Sequence, residues 1–132
     1  MSTVVLDASV AVQFLLGHLP DETAASIAGM SVVSLAHLDA EVLSALARLQ
    51  RQAELADDTV PRALSVLAAL PIDRLAVSES TLHRAWAVRH NVAMRDALYL
   101  AVAEQLGARV LTTDQRLRRA APGLTVGPGE LS

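Results

Sequence analysis

The sequence has 132 residues, room for one domain rather than two, and its apolar fraction of 52% with a mean hydropathy of +0.38 supplies one substantial core. Fourteen acidic residues against eleven basic ones leave a net charge of −3, which excludes the broad basic surface that drives non-specific nucleic-acid binding. No cysteine is present, which excludes disulfides and thiolate metal sites and fits a cytoplasmic protein, and no apolar run approaches the ~20 residues a membrane-spanning helix needs.

Met1-Ser2-Thr3-Val4 has no basic region and its apolar segment meets Asp7 at once, so no signal peptide is expected. Thr3-Val4-Val5-Leu6 reads as a short buried strand that delivers Asp7 and Ser9 as it ends. Apolar residues at Val10, Ala11, Phe14 and Leu15 predict a helix over 8–16, closed by Gly17. Pro20 and the acids Asp21 and Glu22 open a second short helix that stops at Gly29. A β-branched run over 30–35 predicts a strand. From about Ala36 to Ala53 comes the longest helical pattern, with Leu35, Leu38, Val42, Leu46 and Leu49 on one stripe. Asp39 and Glu41 flank that stripe on opposite sides, and the helical wheel alone leaves open which of them turns inward.

A further helix is predicted from Asp57 through Leu70, with Pro71 closing it. Residues 72–77 alternate as a strand or edge segment, and Ser78 begins a helix reaching about His90 with Leu82, Ala85 and Trp86 on neighbouring faces. The segment from Met94 through Leu106 is apolar on nearly every side, which predicts a helix buried against a sheet, with Asp96 in its first turn and Gly107 at its end. A strand over 110–113, a short basic helix from Asp114 to Ala120 and a tail punctuated by Pro and Gly complete the chain. Strands alternating with helices predict a small parallel sheet with helices on both faces, an α/β/α sandwich with three or four strands, formed by residues 1–132 as a single domain.

Two strands end alike, the first at Asp7 and the last in Leu111-Thr112-Thr113-Asp114. A residue at the carboxyl end of a parallel strand faces the crevice where open α/β sheets bind ligands, so the two acids read as one shared site; each is equally placed to cap the helix after it, and the two roles are compatible. Asp96 at a helix start and Glu41 on a helix flank complete a set of four. Carboxylates gathered within about 4 Å repel by on the order of 4 kcal/mol per pair at an effective dielectric near 20, so such a cluster must take up protons or a cation. A hard divalent ion with oxygen ligands, Mg²⁺ or Mn²⁺, is the natural answer, and phosphate esters are its usual substrates.

In these stretches the chain resembles the PIN-domain ribonucleases of the VapC toxin type, one half of a bacterial type II toxin–antitoxin pair. The resemblance lies in Val5-Leu6-Asp7-Ala8-Ser9-Val10, in Leu38-Asp39-Ala40-Glu41-Val42-Leu43-Ser44-Ala45-Leu46, in Met94-Arg95-Asp96-Ala97-Leu98-Tyr99-Leu100-Ala101-Val102-Ala103 and in Leu111-Thr112-Thr113-Asp114-Gln115-Arg116-Leu117, which occur in the family's order. It implies a Mg²⁺- or Mn²⁺-dependent endoribonuclease of PIN-like fold. Asp7, Asp96 and Asp114 then correspond to the carboxylates that hold the metal, Glu41 to the acid that positions or deprotonates the attacking water, and Ser9 and Thr112 to neighbouring hydroxyls that orient the acids. The family register thereby selects Glu41 over Asp39. The resemblance also implies an RNA substrate, a cognate VapB-like antitoxin and a homodimer, with no membrane partner. One departure is Ala36-His37, where many relatives have a proline.

Other readings are open to the same residues. A phosphoacceptor receiver module needs a lysine near its Asp, and this chain has none; a haloacid-type phosphatase needs an Asp where Ser9 stands. A PIN-fold interaction module without nuclease activity has no reason to keep all four acids, and a metal-dependent nuclease outside a toxin–antitoxin pair is the remaining alternative. His18, His37, His83 and His90 show no paired metal spacing and read as surface or packing residues. Arg116, Arg118 and Arg119 are placed either to hold RNA phosphates or to form a solvated helix face, and Trp86 and Tyr99 read as core.

Overall fold

The computed structural model describes residues 2–131, so both ends of the expected 1–132 domain lie outside the described residues. Five strands form one parallel sheet: β1 Thr3–Leu6, β2 Ser31–Leu35, β3 Asp73–Leu75, β4 Arg109–Leu111 and β5 Thr125–Val126, in the order β3-β2-β1-β4-β5. Seven α-helices connect and cover them: α1 Ala8–Leu15, α2 Asp21–Ala28, α3 Leu38–Arg51, α4 Thr59–Ala69, α5 Glu79–Ala87, α6 Met94–Leu106 and α7 Gln115–Ala120. A single 3₁₀ turn over Pro128–Glu130 follows β5.

The pleat of β1 sorts the side chains into two cores. Val4 and Leu6 point to one face and pack with Val10, Leu38, Val42 and Leu46 of α1 and α3 and with Ala63 and Leu67 of α4. Val5 points to the other face and packs with Leu35, Tyr99, Leu100, Val102, Ala103, Val110 and Leu117, so α6 and α7 cover that side. α5 lies on α6 rather than on the sheet: Thr81 and Ala85 are buried, and the Thr81 hydroxyl donates to Gln105 at 3.0 Å. Each fully buried Leu or Val contributes about 1.5–3 kcal/mol relative to its exposed state, so the two faces of β1 hold the sandwich together from its centre.

Most expected elements form within two residues of their expected bounds. α3 is shorter than its 36–53 pattern, because Ala36 and His37 make the turn out of β2, and Leu35 belongs to that strand rather than to the helical stripe. α6 ends at Gly107, whose φ of +63° is the left-handed geometry glycine adopts without a Cβ clash. The tail carries the fifth strand, which sequence periodicity does not reveal because it is two residues long. Trp86 is a correction: it is not core but 60% exposed, stacked under the Arg89 guanidinium at 4.6 Å, with Leu82 exposed one turn earlier. The buried face of α5 is set by the small residues Thr81 and Ala85 that let it lie close to α6, which turns the large side chains outward.

The connections place the site. The chain moves outward from β1 to β2 and β3, then crosses back to β4 and β5 on the other side of β1, so strand order reverses between β1 and β4. That reversal opens a crevice beyond the carboxyl ends of the two central strands, where Asp7 and the segment 112–114 emerge.

Candidate active site

Asp7 follows β1 directly, and its backbone N–H donates to Leu111 O at 3.4 Å, which extends the β1–β4 ladder by one step. Its carboxylate caps α1 by accepting the Val10 N–H at 3.2 Å and receives the Ser9 hydroxyl at 2.6 Å, so the capping and site readings hold together. Ser9 in turn accepts the Thr113 N–H at 3.1 Å, and its hydroxyl lies 3.5 Å from that of Thr112. Thr112 accepts the Asp114 N–H at 3.1 Å, and Asp114 caps α7 through the N–H groups of Arg116 and Leu117 at 2.9 and 3.2 Å. One continuous hydrogen-bonded chain thus joins the ends of both central strands.

Asp7 is 7% exposed. Burial pushes its carboxyl from 3.8 to about 6; the hydrogen bonds from Ser9, Thr112 and Val10 oppose that rise, and the nearby Asp96 adds to it. Asp96, in the first turn of α6, is raised as well, first by burial and then by Asp114 and Glu41, with Arg95 pulling the other way. Two carboxylates are therefore held with their negative charge incompletely balanced.

Glu41 is secured from a different direction. The Tyr99 hydroxyl, on a residue only 1% exposed, donates to Glu41 Oε1 at 2.8 Å, and Arg95 Nε lies 3.3 Å from Oε2. Burial and the Glu41 carboxylate together keep the Tyr99 phenol protonated far above its ordinary range. His37 Nε2 is 3.2 Å from Oε1 but off a hydrogen-bond line, and its ring packs at 5.5 Å against Tyr99. The other acid of α3 goes elsewhere: Asp39 accepts two bonds from Arg74, at 2.8 and 3.0 Å, and Arg74 also donates to Leu67 O and Ile72 O. The wheel ambiguity is resolved by that ion pair, which ties Asp39 to β3 and leaves Glu41 to the cleft.

Asp7, Glu41, Asp96 and Asp114 all line one open cleft of about 530 Å³, together with Arg48 and Arg95. Among the described residues, no three His, Asp or Glu side chains converge tightly enough to enclose a metal ion. Sequence reasoning missed three residues here. His37 reads as packing yet faces the cleft, Tyr99 reads as core yet spends its hydroxyl on Glu41, and Arg95 lies beside a recognised acid without its partner being evident. Of the three arginines in and around α7, Arg118 is committed to an ion pair with Glu130 and packs over Gly127.

The sequence profile of the family described as PIN domain matches residues 4–122. Ribonuclease VapC3 of Mycobacterium tuberculosis is 43% identical over 122 residues, which span 90% of this chain and 88% of that protein. The crystal structure of PAE2754 from Pyrobaculum aerophilum superimposes with a TM-score of 0.72 at 18% identity, covering 97% of this chain and 90% of that one. A toxin–antitoxin complex from Klebsiella pneumoniae aligns with a TM-score of 0.64 at 16% identity, covering 96% of this chain and 98% of the matched one. With the profile running through all four acid-bearing segments and the Mycobacterium relative 43% identical over 90% of the chain, the chain belongs to the PIN-domain family and, within it, to the VapC ribonucleases.

Proposed function

We propose that this chain is a Mg²⁺- or Mn²⁺-dependent endoribonuclease and the toxin of a type II toxin–antitoxin pair. The observation that carries the reading is the convergence of four carboxylates, from two strand ends and two helices, on one open cleft. The donor set fits a hard, water-rich cation: it is all oxygen, and burial makes two of its members harder to ionise, which a positive ion would reverse. Mg²⁺ is held through one or two carboxylates and keeps several waters, so an open cleft lined by carboxylates has the ligands it needs. When bound, such an ion polarises a phosphoryl oxygen and acidifies a water.

In this reading Asp7, Asp96 and Asp114 hold the cation, and Ser9 and Thr112 fix the orientation of Asp7 and of the turn before Asp114. Glu41 orients the attacking water. The Tyr99 hydroxyl holds Glu41 Oε1 and Arg95 lies 3.3 Å from Oε2, which orients the carboxylate, and correct placement of a reacting water lowers a barrier by sparing its entropy. Arg48 and Arg95 offer guanidinium groups to RNA phosphates on the α3 side of the cleft, which gives a protein of net charge −3 a local basic contact.

The chain works as one domain, in the cytoplasm, as a homodimer, and under a cognate VapB-like antitoxin. What supports the partners is exposed apolar surface, with Leu82 and Trp86 on α5 and Leu43 on α3, and the likeness to the chain of a toxin–antitoxin complex. The test is cleavage of a mixed RNA pool by purified protein with Mg²⁺, with Mn²⁺ and with chelator, alongside Asp7→Asn and Asp96→Asn. Metal-dependent cutting abolished by both substitutions is the expected result. A parent that neither cuts RNA nor binds metal, or an Asp7→Asn variant that cuts as well as the parent, would overturn the reading.

A further inference from the structure

Asp96 and Asp114 belong to two clefts at once. Besides the cleft shared with Asp7 and Glu41, they line a second one of about 320 Å³, whose other walls come from the α5–α6 turn and from α7. His90 and Asn91 in the turn and Arg116 in the first turn of α7 supply its polar side chains, and all three are exposed. Among the described residues Arg116 is in no ion pair, whereas Arg118 is tied to Glu130. The two clefts share the two carboxylates as a common wall, so a strand whose scissile phosphate sits there has the second cleft beside it on one side.

From this contiguity we propose that the second cleft is the subsite for the nucleotide adjoining the scissile phosphate, with Arg116 binding the next phosphate along and His90 and Asn91 meeting the base; the proposal rests on the nuclease reading above. The chemistry matches each part. A guanidinium offers paired N–H donors to phosphate oxygens, a carboxamide presents a donor and an acceptor side by side to a base edge, and an imidazole stacks on an unpaired base. The cleft volume stands at the lower end of the range for ligand pockets, in keeping with one nucleotide and not a duplex. The geometry therefore favours single-stranded RNA, and it assigns to Asn91 a part in choosing the base beside the cut.

The experiment uses short single-stranded RNAs of random sequence in two arms. In the first, binding is followed by fluorescence anisotropy across a salt series with Mg²⁺ present, in a Glu41→Gln background that keeps the RNA intact. Arg116→Ala is expected to reduce the slope of log K against log salt by about 0.7, the loss of one phosphate contact to a single strand, while Arg119→Ala, outside the cleft, leaves the slope unchanged. In the second, product ends from the otherwise unaltered protein are sequenced, and Asn91→Ala is expected to relax the base preference at the position next to the cut. An Arg116→Ala slope equal to that of its background, together with unaltered product ends for Asn91→Ala, would overturn the subsite. Failure of the nuclease reading registers separately, as a parent that neither cuts the pool nor binds metal, because the binding arm requires no cleavage.

Discussion

Replacing Asp7 by Asn keeps the size of the side chain and the oxygen that accepts from Ser9 and Val10, and removes one buried negative charge. The carboxyl titrates at about 6 in the folded protein against 3.8 ordinarily. At about 1.36 kcal/mol per pKa unit, the ionised side chain destabilises the metal-free fold by roughly 3 kcal/mol. The sign follows from linkage: a carboxyl whose folded value is raised favours the fold when protonated, so this contribution is absent below the unfolded value of 3.8, grows as pH rises from there to about 6, and levels off above it. Asn offsets part of the gain, because its N–H donors need acceptors where the groups bonded to Asp7, the Ser9 hydroxyl and the Val10 N–H, are themselves donors. The expected net effect near neutral pH, with chelator present, is a stabilisation of about 1–3 kcal/mol, or roughly 3–5 °C in Tm per kcal/mol for a domain of this size. Thermal melts of parent and variant across pH, monitored by circular dichroism, read it directly. The difference should vanish in acid and reach a plateau above about pH 7. Mg²⁺ should then raise the Tm of the parent more than that of the variant. A variant no more stable than the parent at neutral pH, with the same difference in acid, would refute the claim that Asp7 is held at the expense of the fold.

Tyr99→Phe deletes only the hydroxyl that holds Glu41; a hydrogen bond to a charged group is worth about 1.5–3 kcal/mol, so kcat should fall roughly tenfold to a hundredfold with Mn²⁺ affinity unchanged. An unchanged kcat would mean that Tyr99 acts through packing alone. Arg74→Ala releases Asp39 and two carbonyl partners, and a urea midpoint corresponding to a loss of about 1–3 kcal/mol is expected; no change in midpoint would show that the clamp is not structural.

The parts of the molecule legible in the sequence are those where local signals agree with the tertiary outcome. Thr3–Leu6 and Arg109–Leu111 form central strands because β-branched and apolar residues suit a sheet covered on both faces, and Ser78, Asp7 and Asp114 cap helices as their side chains dictate. Trp86 was misplaced because hydrophobicity predicts burial only when a neighbour fits, and α5 approaches α6 through Thr81 and Ala85. The choice between Asp39 and Glu41 had no local answer, since it depends on Arg74, thirty-five residues away in sequence, and on Tyr99, fifty-eight away. β5 escaped notice because its two residues earn their place by pairing with β4 and carry no period of their own.

The hydrogen-bond pattern divides the four acids into two sets. Asp7 and Asp114 are tied through Ser9 and Thr112 to the ends of β1 and β4, whereas Glu41 is tied by Tyr99 and Arg95 to the helix that carries Asp96. The site is in effect a pair of jaws, one anchored in the sheet and the other on α3 and α6. Among the described residues no side-chain hydrogen bond runs from one jaw to the other, so their spacing is set by the packing of α3 and α6 on the two faces of β1. A change of volume in either core therefore alters the distance between the two sets of acids without touching any of them.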